Sequence, residues 1–365
     1  MIFNLTNTQK INWVRIIAVV STLILMLYAP KLWITTKDFP VIPLFDWLPI
    51  PKYPLDYILA IFFFGIQVLY IFQNKRWQGW TIIILYVLLA LIDQNRLQPY
   101  FYQSILTVFA IEIFNKKAEP KKILYAVILI FFATYFWSGV HKLNEIFYQQ
   151  WMGALLKHFS FLPEWFLQAF TYAVPWLESG VGILLLFNKT RKLGVSLIVI
   201  MHLGITVLLF YLGYGYNVVP WNIQNILSVF IIFWTLQTTS WLDFFTMSLD
   251  YQKVLVLLFT IILPFSNLLG GWDHLLSFSF FTSKLKYYYI EIDEELEDNL
   301  PEHIQRYYRY NNNKPRIYTN EWAGDVNKVL FYPEDRIIKY TEEYLRSFAK
   351  NPKKNDLTKK TVYNQ

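Results

Sequence analysis

Long apolar runs dominate this sequence and constrain its fold more than any other feature. A transmembrane helix needs about 20 predominantly apolar residues, and nine runs of roughly that length occur here. They lie at residues 12–34, 54–73, 78–94, 98–115, 122–141, 169–188, 193–212, 219–238 and 252–270. Because 55% of the 365 residues are hydrophobic and only 16% are charged, the chain is too apolar for a soluble protein. We therefore predict a mainly α-helical, polytopic transmembrane bundle of about nine spans in a lipid bilayer.

Basic residues lie mainly in alternate loops between these runs. Twelve of them share one side of the predicted bundle, against six on the other side. The twelve are Lys10, Arg15, Lys75, Arg76, Lys116, Lys117, Lys121, Lys122, Lys189, Arg191, Lys192 and Lys253. By the positive-inside rule this side faces the cytoplasm, so we expect a plasma (inner) membrane protein with a cytoplasmic N-terminus and a periplasmic C-terminus. The topology also explains the formal charge of +7, and we expect no nucleic-acid partner.

The composition changes after the last apolar run. An acidic stretch follows at residues 291–298, strand-like patterns occur at 285–292 and 328–332, and a helix is expected to begin at Pro333 and run to Ala349. Residues 351–365 are polar and rich in lysine and asparagine. We predict a transmembrane domain over 1–275, a small extracytoplasmic α+β domain over 276–350 and a disordered tail over 351–365.

Several classes of chemistry are excluded by composition. The chain contains no cysteine, which rules out thiol nucleophiles, disulfides, iron–sulfur clusters, Cys-ligated zinc and c-type haem attachment. The spacing of His, Asp and Glu suggests no tight metal site, and no Gly-rich phosphate loop occurs. We therefore expect no metal cofactor.

The fifth apolar run ends on an adjacent histidine and lysine, His141 and Lys142. Ionisable side chains at the edge of a bilayer cost free energy and need a reason. Burial disfavours the charged form of a lysine, so Lys142 could act as a base. It could equally reach the lipid headgroups or cap the helix. His141 lies about 100° away around the helix, so the two side chains need not share a pocket. Before them, Gly139 would allow a neighbouring helix to approach closely.

Two more ionisable residues lie deep in later runs. Glu178 in the sixth run needs a proton or a cationic partner if it is buried. His202 in the seventh run can be a catalytic group or a neutral histidine hydrogen-bonded to a neighbouring helix. The predicted topology also brings residues 93–98, 141–157 and 211–221 to one outer face, where a site could form.

Aromatic residues near the turn between the third and fourth runs suggest a ligand. Tyr100 and Tyr102, with Gln98, could line a cavity for a planar quinone or hydroquinone, although aromatic belts at membrane interfaces are common. In the same turn, Asp93 and Arg96 can pair locally. The stretch 149–170, which includes Trp151, has the composition of a helix lying in the interface and roofing the outer end of the bundle.

Several of these motifs resemble the HTTM domain, the transmembrane module of vitamin K-dependent γ-glutamyl carboxylase and its bacterial relatives. The resemblance covers about residues 1–285 and rests on the run from Tyr135 to Leu143, on Trp151, on His202 with Leu212-Gly213-Tyr214, and on the segment from Phe278 to Thr282. The pattern Gly-x-x-Lys-Leu at a span end also resembles the DoxX-like membrane proteins.

The carboxylase resemblance implies specific roles. Lys142 matches the lysine that deprotonates vitamin K hydroquinone, and His202 is similar to a histidine of the family's core. His141, Gln98, Tyr100, Tyr102, Glu178 and Trp151 would then contact the ligand. Two features depart from the family: Gln98 stands where the carboxylase pattern has a histidine, and about 90 residues replace the large lumenal domain.

Three functions are compatible with these observations. The chain can be a quinone-linked carboxylase-like or epoxidase-like enzyme that uses Lys142 as its base on the extracytoplasmic side. It can be a non-enzymatic HTTM-like or DoxX-like subunit that supports a redox or export complex through a membrane or extracytoplasmic protein partner. It can also be a transporter or a lipid-binding protein. A transporter needs a continuous polar path through the bundle, and Glu178 and His202 are the only ionisable residues deep in the later runs.

Overall fold

The computed structural model describes residues 5–114, 119–213, 215–234, 250–283, 285–311, 314–354 and 357–363. Helix accounts for 68% of it, which confirms a mainly α-helical fold. The apolar helices are α1 (Asn7–Tyr28), α2 (Leu55–Gln73), α3 (Arg76–Ile92), α4 (Pro99–Ile113), α5 (Pro120–His141), α6 (Glu145–His158), α7 (Glu164–Leu186), α8 (Arg191–Leu212), α9 (Val219–Phe233) and α10 (Tyr251–Asn267).

Within the described residues, five helices are long and apolar enough to cross a membrane, namely α1, α2, α5, α7 and α8. This supports a multi-pass membrane protein. The predicted number of nine spans is not confirmed, because α4 and α9 have 15 residues each and reach only about 22 Å of a roughly 30 Å hydrocarbon core. Residues 235–238 of the predicted eighth span, together with Lys116, Lys117 and Tyr214, lie outside the described residues.

The chain folds as two compact units that interleave along the sequence. Unit 1 consists of Met1–Leu25, Gly65–Ile84 and Pro99–Lys284, and unit 2 of Met26–Phe64, Leu85–Gln98 and Leu285–Gln365. The expected domains follow one another along the chain, whereas unit 2 combines its C-terminal region with two segments from the first 100 residues. Residues 93–98 belong to unit 2 and residues 141–157 to unit 1, so their common outer face stays a prediction.

In unit 1, helices α5 and α7 cross at two glycines. A Cβ atom on Gly139 would lie 2.3 Å from Ser179 Oγ and 2.4 Å from the carbonyl oxygen of Pro175. A Cβ atom on Gly182 would lie 2.9 Å from the backbone nitrogen of Phe136. Only residues without a side chain allow this separation. The expected close approach at Gly139 is therefore confirmed.

Helix α10 contains one turn of π-helix at Leu258–Ile262. Such a turn changes the i→i−4 bonding pattern and is usually a single insertion in an α-helix. The indole nitrogen of Trp137 on α5 donates a hydrogen bond of 2.8 Å to the carbonyl oxygen of Thr260 in this turn. The π turn thus offers α5 an acceptor inside an apolar helix.

Helix α6 differs from the interface helix predicted at 149–170. It begins earlier, at Glu145, because the Asn144 side chain caps it by accepting a hydrogen bond of 2.9 Å from the backbone N–H of Phe147. It ends at His158, and α7 begins at Glu164 after Pro163. The predicted segment is therefore divided between two helices, and its position relative to a membrane stays a prediction.

Unit 2 contains a four-stranded antiparallel sheet in the order β2-β3-β1-β4. The strands are β1 (Tyr287–Ile292), β2 (Tyr308–Asn311), β3 (Lys314–Tyr318) and β4 (Thr358–Tyr363), and the helices are α11 (Glu294–Glu297), α12 (Glu302–Gln305), α13 (Thr319–Val326) and α14 (Asp335–Arg346). Alternate residues of β1 are buried, which places Tyr288, Ile290 and Ile292 on the core face. The small α+β region is thus present.

Three local expectations in this region differ from the structure. The strand expected at 328–332 is absent from these described residues, where Lys328 has a φ of 57°. A positive φ is incompatible with a regular strand. The helix expected from Pro333 begins at Asp335 and ends at Arg346. Residues 358–363, expected in a disordered tail, form strand β4 because they pair with β1, while 355–356 and 364–365 lie outside the described residues.

Helices α13 and α14 of unit 2 contact chain segments that follow α1 and α3. Trp322 on α13 donates a hydrogen bond of 2.8 Å from its indole nitrogen to the carbonyl oxygen of Asp38, and its ring contacts Phe39 at 4.7 Å. Arg336 on α14 donates to Gln94 at 2.6 Å. These contacts explain why residues from the first 100 positions belong to the C-terminal unit.

Candidate functional site

Lys142 lies directly after α5 and forms a buried ion pair with α7. Its Nζ donates to Glu178 Oε2 at 2.7 Å, to Ser138 Oγ at 2.8 Å and to the carbonyl oxygen of Phe280 at 2.8 Å. The lysine side chain is only 5% exposed and the glutamate side chain 17%. Glu178 therefore has the cationic partner that its burial requires.

The three N–H groups of this ammonium each have an acceptor. An ammonium has three donors and no acceptor, and here they go to a carboxylate, a hydroxyl and a carbonyl from three segments of the chain. Ser138 in turn donates to the same Glu178 oxygen at 2.8 Å. A base needs a free lone pair on Nζ, whereas this geometry matches the protonated form.

The segment that accepts from Lys142 has an unusual backbone. Phe278, Phe281 and Ser283 have φ values of 58°, 52° and 58°, a left-handed conformation that costs a non-glycine residue roughly 1–3 kcal/mol. Such a conformation persists where neighbouring groups hold it. Lys142 binds the carbonyl of Phe280, and Asn144 binds that of Thr282 at 3.0 Å. The end of α5 thus fixes this segment.

His202 on α8 forms the centre of a second polar group. Its Nε2 lies 2.8 Å from the hydroxyl of Tyr135 on α5, and its Nδ1 lies 2.8 Å from Asn222 Oδ1 on α9. If the amide oxygen accepts from Nδ1–H, Nε2 is left to accept from the tyrosine hydroxyl. The histidine then links three helices as a neutral group, which matches the structural alternative predicted from the sequence.

The two polar groups share one face of α5. Tyr135, Ser138 and Lys142 are spaced at i, i+3 and i+7, which places them on one side of a helix. Ser138 and Lys142 bind Glu178, and Tyr135 binds His202. Unit 1 therefore contains one polar stripe from the end of α5 to the interior contact with α8 and α9.

The other predicted site residues do not join these bonds. Tyr100 is buried and its hydroxyl accepts from Asn217 at 3.4 Å. Tyr102 is buried against Phe278, with ring centroids 5.9 Å apart, and its hydroxyl has no hydrogen-bond partner among the described residues. Gln98 belongs to unit 2 and donates to the carbonyl oxygens of Asn95 and Leu330, both at 3.0 Å.

The remaining two candidates are His141, the last residue of α5, and Trp151, within α6. His141 is fully buried, and its ring centroid lies 6.0 Å from that of Trp137. Trp151 stacks on Phe147 of the same helix at 5.9 Å. The predicted ligand roles of these residues, and the predicted quinone itself, stay predictions.

A second buried ion pair occurs in unit 2, where the sequence suggested a local contact between Asp93 and Arg96. Asp93 instead accepts from Lys37 at 2.6 Å, and both side chains are inaccessible to solvent. Arg96 donates to the carbonyl oxygens of Leu32 and Leu89 at 2.9 and 2.7 Å. Burial lowers the pKa of Lys37 below its ordinary value of 10.5, and the attraction to Asp93 only partly opposes this.

Sequence reasoning missed several polar residues that the fold brings together. Tyr135 and Ser138 could have been found by extending the helical spacing back from Lys142. The buried amides and hydroxyl of α4 and α9 had no comparable signal, because they meet only in three dimensions: Gln103 with Trp221 and Asn225, and Ser104 with Gln224. Glu112 on α4 was missed too, and it accepts from the Tyr70 hydroxyl of α2.

Within the described ranges, no group of three or more His, Asp and Glu side chains could hold a metal ion. A cavity of about 520 Å³ lies in unit 2. It is lined by Glu291, Ile292, Asp293, Lys314, Thr358 and Lys359, none of which we had predicted as site residues. The predicted site residues Lys142, Glu178 and His202 belong to the packed polar stripe of unit 1. We therefore take this stripe as the candidate site.

These features define a class, a multi-pass helical membrane protein with a small α+β unit. The model of one membrane family, methylamine utilisation protein MauE, matches residues 120–220. The match covers α5 to α8 and fewer than a third of the chain, and it contains Lys142, Glu178 and His202. No curated protein and no solved structure matches the chain.

The family match corrects the resemblance to HTTM and DoxX-like proteins, which was wrong. The motif that suggested the DoxX-like proteins, Gly-x-x-Lys-Leu at a span end, has a general physical origin, and it also lies within the run from Tyr135 to Leu143 that suggested HTTM. A small residue lets two membrane helices approach, and a basic residue is favourable at a helix C-terminus. Such a motif can therefore occur in unrelated membrane bundles.

Proposed function

We propose that this chain is a non-catalytic, multi-pass membrane subunit that supports a redox or export complex, in a role related to methylamine utilisation. The family name of MauE supplies the connection to methylamine utilisation, and the match falls on the helices that contain the candidate site. The partner would be a membrane or extracytoplasmic protein. The nine-span layout and the periplasmic C-terminus are parts of this proposal.

One observation carries the proposal, namely the bonding of Lys142. All three donors of its ammonium go to groups of the protein itself, and the carboxylate is one of them. A catalytic base has to exchange its proton with a ligand, and such exchange would break one of the bonds that hold Nζ to Ser138, to Glu178 of α7 or to Phe280. The pair therefore fits an architectural role in a packed bundle better than proton transfer.

The polar group around His202 supports the same conclusion. His202 is buried, and both ring nitrogens are within hydrogen-bond distance of protein groups. The family match ends at residue 220, just before Asn222. The matched helices thus contribute Tyr135 and His202, and the next helix completes the bond network.

A gene deletion tests the role. We expect a host strain without the chain to grow normally on ammonium and to grow slowly with methylamine as its nitrogen source. Reintroducing the wild-type chain should restore growth on methylamine. Equal growth of the deletion strain on both nitrogen sources would contradict the proposed role.

A paired variant separates a structural from a catalytic Lys142. Removing one member of a buried ion pair leaves an uncompensated charge, whereas replacing both by apolar residues of similar volume is often nearly neutral. We therefore expect Lys142→Met to lower the amount of folded protein and the double variant Lys142→Met/Glu178→Met to restore both folding and growth. A double variant that accumulates normally in the membrane but does not restore growth would assign Lys142 or Glu178 to the chemistry.

The orientation of the chain in the membrane can be measured by labelling single introduced cysteines, because the chain has no native cysteine. Asp298 in unit 2 and Lys189 between α7 and α8 are both exposed. A membrane-impermeant maleimide added to spheroplasts should label Asp298→Cys and should label Lys189→Cys only after lysis. The reverse pattern would place the C-terminus in the cytoplasm.

A further inference from the structure

The connection between α1 and α2 exposes a cluster of large apolar side chains within unit 2. We call residues 44–53 the aromatic loop. Its exposed members are Leu44, Phe45, Trp47, Ile50 and Tyr53, and Trp47 and Tyr53 are exposed to 75% and 73%. Single exposed apolar residues are ordinary on protein surfaces, but a contiguous group of this kind marks an interaction surface.

The aromatic loop has a defined conformation. The rings of Phe45 and Trp47 stack at 5.4 Å with an interplanar angle of 10°. At the start of the loop, the N–H of Leu44 donates to the carbonyl oxygen of Leu91 at 2.8 Å. Gln94 fixes the preceding residue by donating to the carbonyl oxygen of Pro43 at 3.1 Å. The exposed rings are therefore presented by an ordered backbone.

The apolar surface of the loop continues onto the first turns of α2. Leu55, Ile58, Ile61 and Phe62 are exposed and follow the spacing of one helix face. Helix α2 is long and apolar enough to cross a membrane, and only 28% of its apolar window is buried within the protein. The natural occupant of this face is lipid, and the same apolar surface extends into the loop.

The chemistry of the loop suits the headgroup region of a bilayer rather than its hydrocarbon core. Tryptophan and tyrosine are enriched at membrane–water interfaces, where an apolar ring and a polar N–H or O–H are both accommodated. Lys52 and Asp46 are exposed beside the rings and require water or headgroups. Pro49 and Pro51 lack N–H groups, which reduces the number of donors that need a partner.

From these observations we propose that the aromatic loop inserts into the interfacial region of the leaflet where α2 enters the membrane, so that lipid binds this surface. Contacts within unit 2 connect the aromatic loop to the α+β region. The segment immediately before the loop bonds to α13 through Asp38 and Trp322, and Gln94 bonds to both Pro43 and Arg336 of α14. The loop would hold the α+β region of unit 2 at the membrane surface.

Site-directed spin labelling tests the proposal on the full chain, since no native cysteine competes for the label. Trp47→Cys and Tyr53→Cys would each carry a nitroxide in purified protein reconstituted into phosphatidylcholine/phosphatidylglycerol nanodiscs. Asp298→Cys, exposed on the α+β region, is the matched control. Power saturation then compares collisions with oxygen, which partitions into lipid, and with a water-soluble nickel chelate.

We expect the ratio of oxygen to nickel accessibility to be at least about threefold higher at positions 47 and 53 than at position 298, because oxygen concentrates in lipid and the chelate is excluded from it. A ratio at both loop positions equal to that at position 298 would overturn the proposal, since the loop would then lie in water. Shielding from both reagents would overturn it too, by showing that protein covers the loop. A labelled variant is used only if its thermal unfolding midpoint equals that of the unlabelled chain. Phe45→Cys replaces any variant that unfolds.

Discussion

The two units each contain a buried lysine–carboxylate pair, and the two pairs differ in how the lysine is bonded. In unit 1, Lys142 donates to three acceptors, and its carboxylate partner retains some contact with solvent. In unit 2, Lys37 and Asp93 are both inaccessible, and among the described residues Asp93 is the one hydrogen-bond acceptor of Lys37. Three acceptors replace more of the hydration that a buried lysine loses than a single acceptor does.

The two carboxylates differ in the opposite direction, because Asp93 accepts more hydrogen bonds than Glu178. Asp93 accepts from Lys37 and, through its other oxygen, from the backbone and side chain of Asn95 at 3.2 and 2.7 Å. Glu178 accepts from Lys142 and Ser138 through a single oxygen. Asp93 therefore organises the turn before α4, while Lys142 organises the junction of α5, α7 and the segment 278–283. The member that makes more hydrogen bonds is thus the carboxylate in unit 2 and the lysine in unit 1.

Removal of Asp93 should have the largest effect. Asp93→Ala leaves the ammonium of Lys37 buried without its acceptor and frees the Asn95 donors, so we expect a loss near the upper end of the roughly 3–5 kcal/mol seen when one partner of a buried pair is removed. The free energy of unfolding in mixed micelles measures it. Asp46→Ala, at an exposed carboxylate in the same unit, is the control. A loss below about 1 kcal/mol would show that the pair is not needed for unit 2.

Removal of Lys142 should have a somewhat smaller effect. Lys142→Met leaves Glu178 without its cation, but the glutamate is partly accessible and keeps its bond from Ser138. We expect a loss of about 3 kcal/mol for the single variant and of about 1 kcal/mol for Lys142→Met/Glu178→Met. Chemical denaturation of the three proteins checks this order. Equal losses for the single and double variants would remove the asymmetry between the two units.

The close approach of α5 and α7 can be altered without touching either charge. Gly139→Ala places a Cβ 2.3 Å from Ser179 Oγ, so the helices must separate. Forced overpacking of this kind costs about 1–3 kcal/mol. Gly180→Ala on the same pair of helices is the matched control, because a Cβ there meets no atom within 4 Å. If both variants unfold at the same denaturant concentration, the glycine contact does not set the geometry of the Lys142 pair.

Of these tests, we expect the pH dependence of the free energy of unfolding to show the smallest difference between the two ion pairs. Because burial lowers the pKa of Lys37 from 10.5, the unfolded chain holds this proton more tightly than the folded chain. Stability should therefore rise as pH increases from the folded pKa towards 10.5, by at most about 1.4 kcal/mol per pH unit for one proton. Unfolding curves of wild type and Lys37→Met/Asp93→Leu between pH 7 and 10 measure it. A wild-type curve parallel to that of the variant would argue against a contribution from Lys37.

The sequence predicted the helices and the membrane location because both depend on local composition. Runs of apolar residues predict α1, α2, α5, α7 and α8, and the position of Glu178 in such a run predicts that it needs a proton or a cation, which Lys142 provides. Lys142 itself is a candidate because of its position at the end of the fifth apolar run. The contact of Lys37 with Asp93 joins residues 56 positions apart, and no local pattern indicates it.

The errors had equally physical causes. The tail at 358–363 contains mostly polar residues, and its order comes from hydrogen bonds to β1, which a reading of composition does not include. The family resemblance failed because a glycine and a lysine near a helix end satisfy packing and electrostatics in many membrane proteins. Short motifs at span ends therefore carry less information than the polar contacts between the helices.

The interleaving of unit 2 imposes a time order on its assembly. Its second segment ends at Gln98 and its third begins at Leu285, so 186 residues lie between them. At a synthesis rate of about 5–20 residues per second, this stretch takes roughly 10–40 s. During that interval the surface around Asp38 and Phe39 lacks Trp322, a partner that lies 284 positions beyond Asp38. The newly made chain must keep this surface available while the helices from α4 to α10 are still being synthesised.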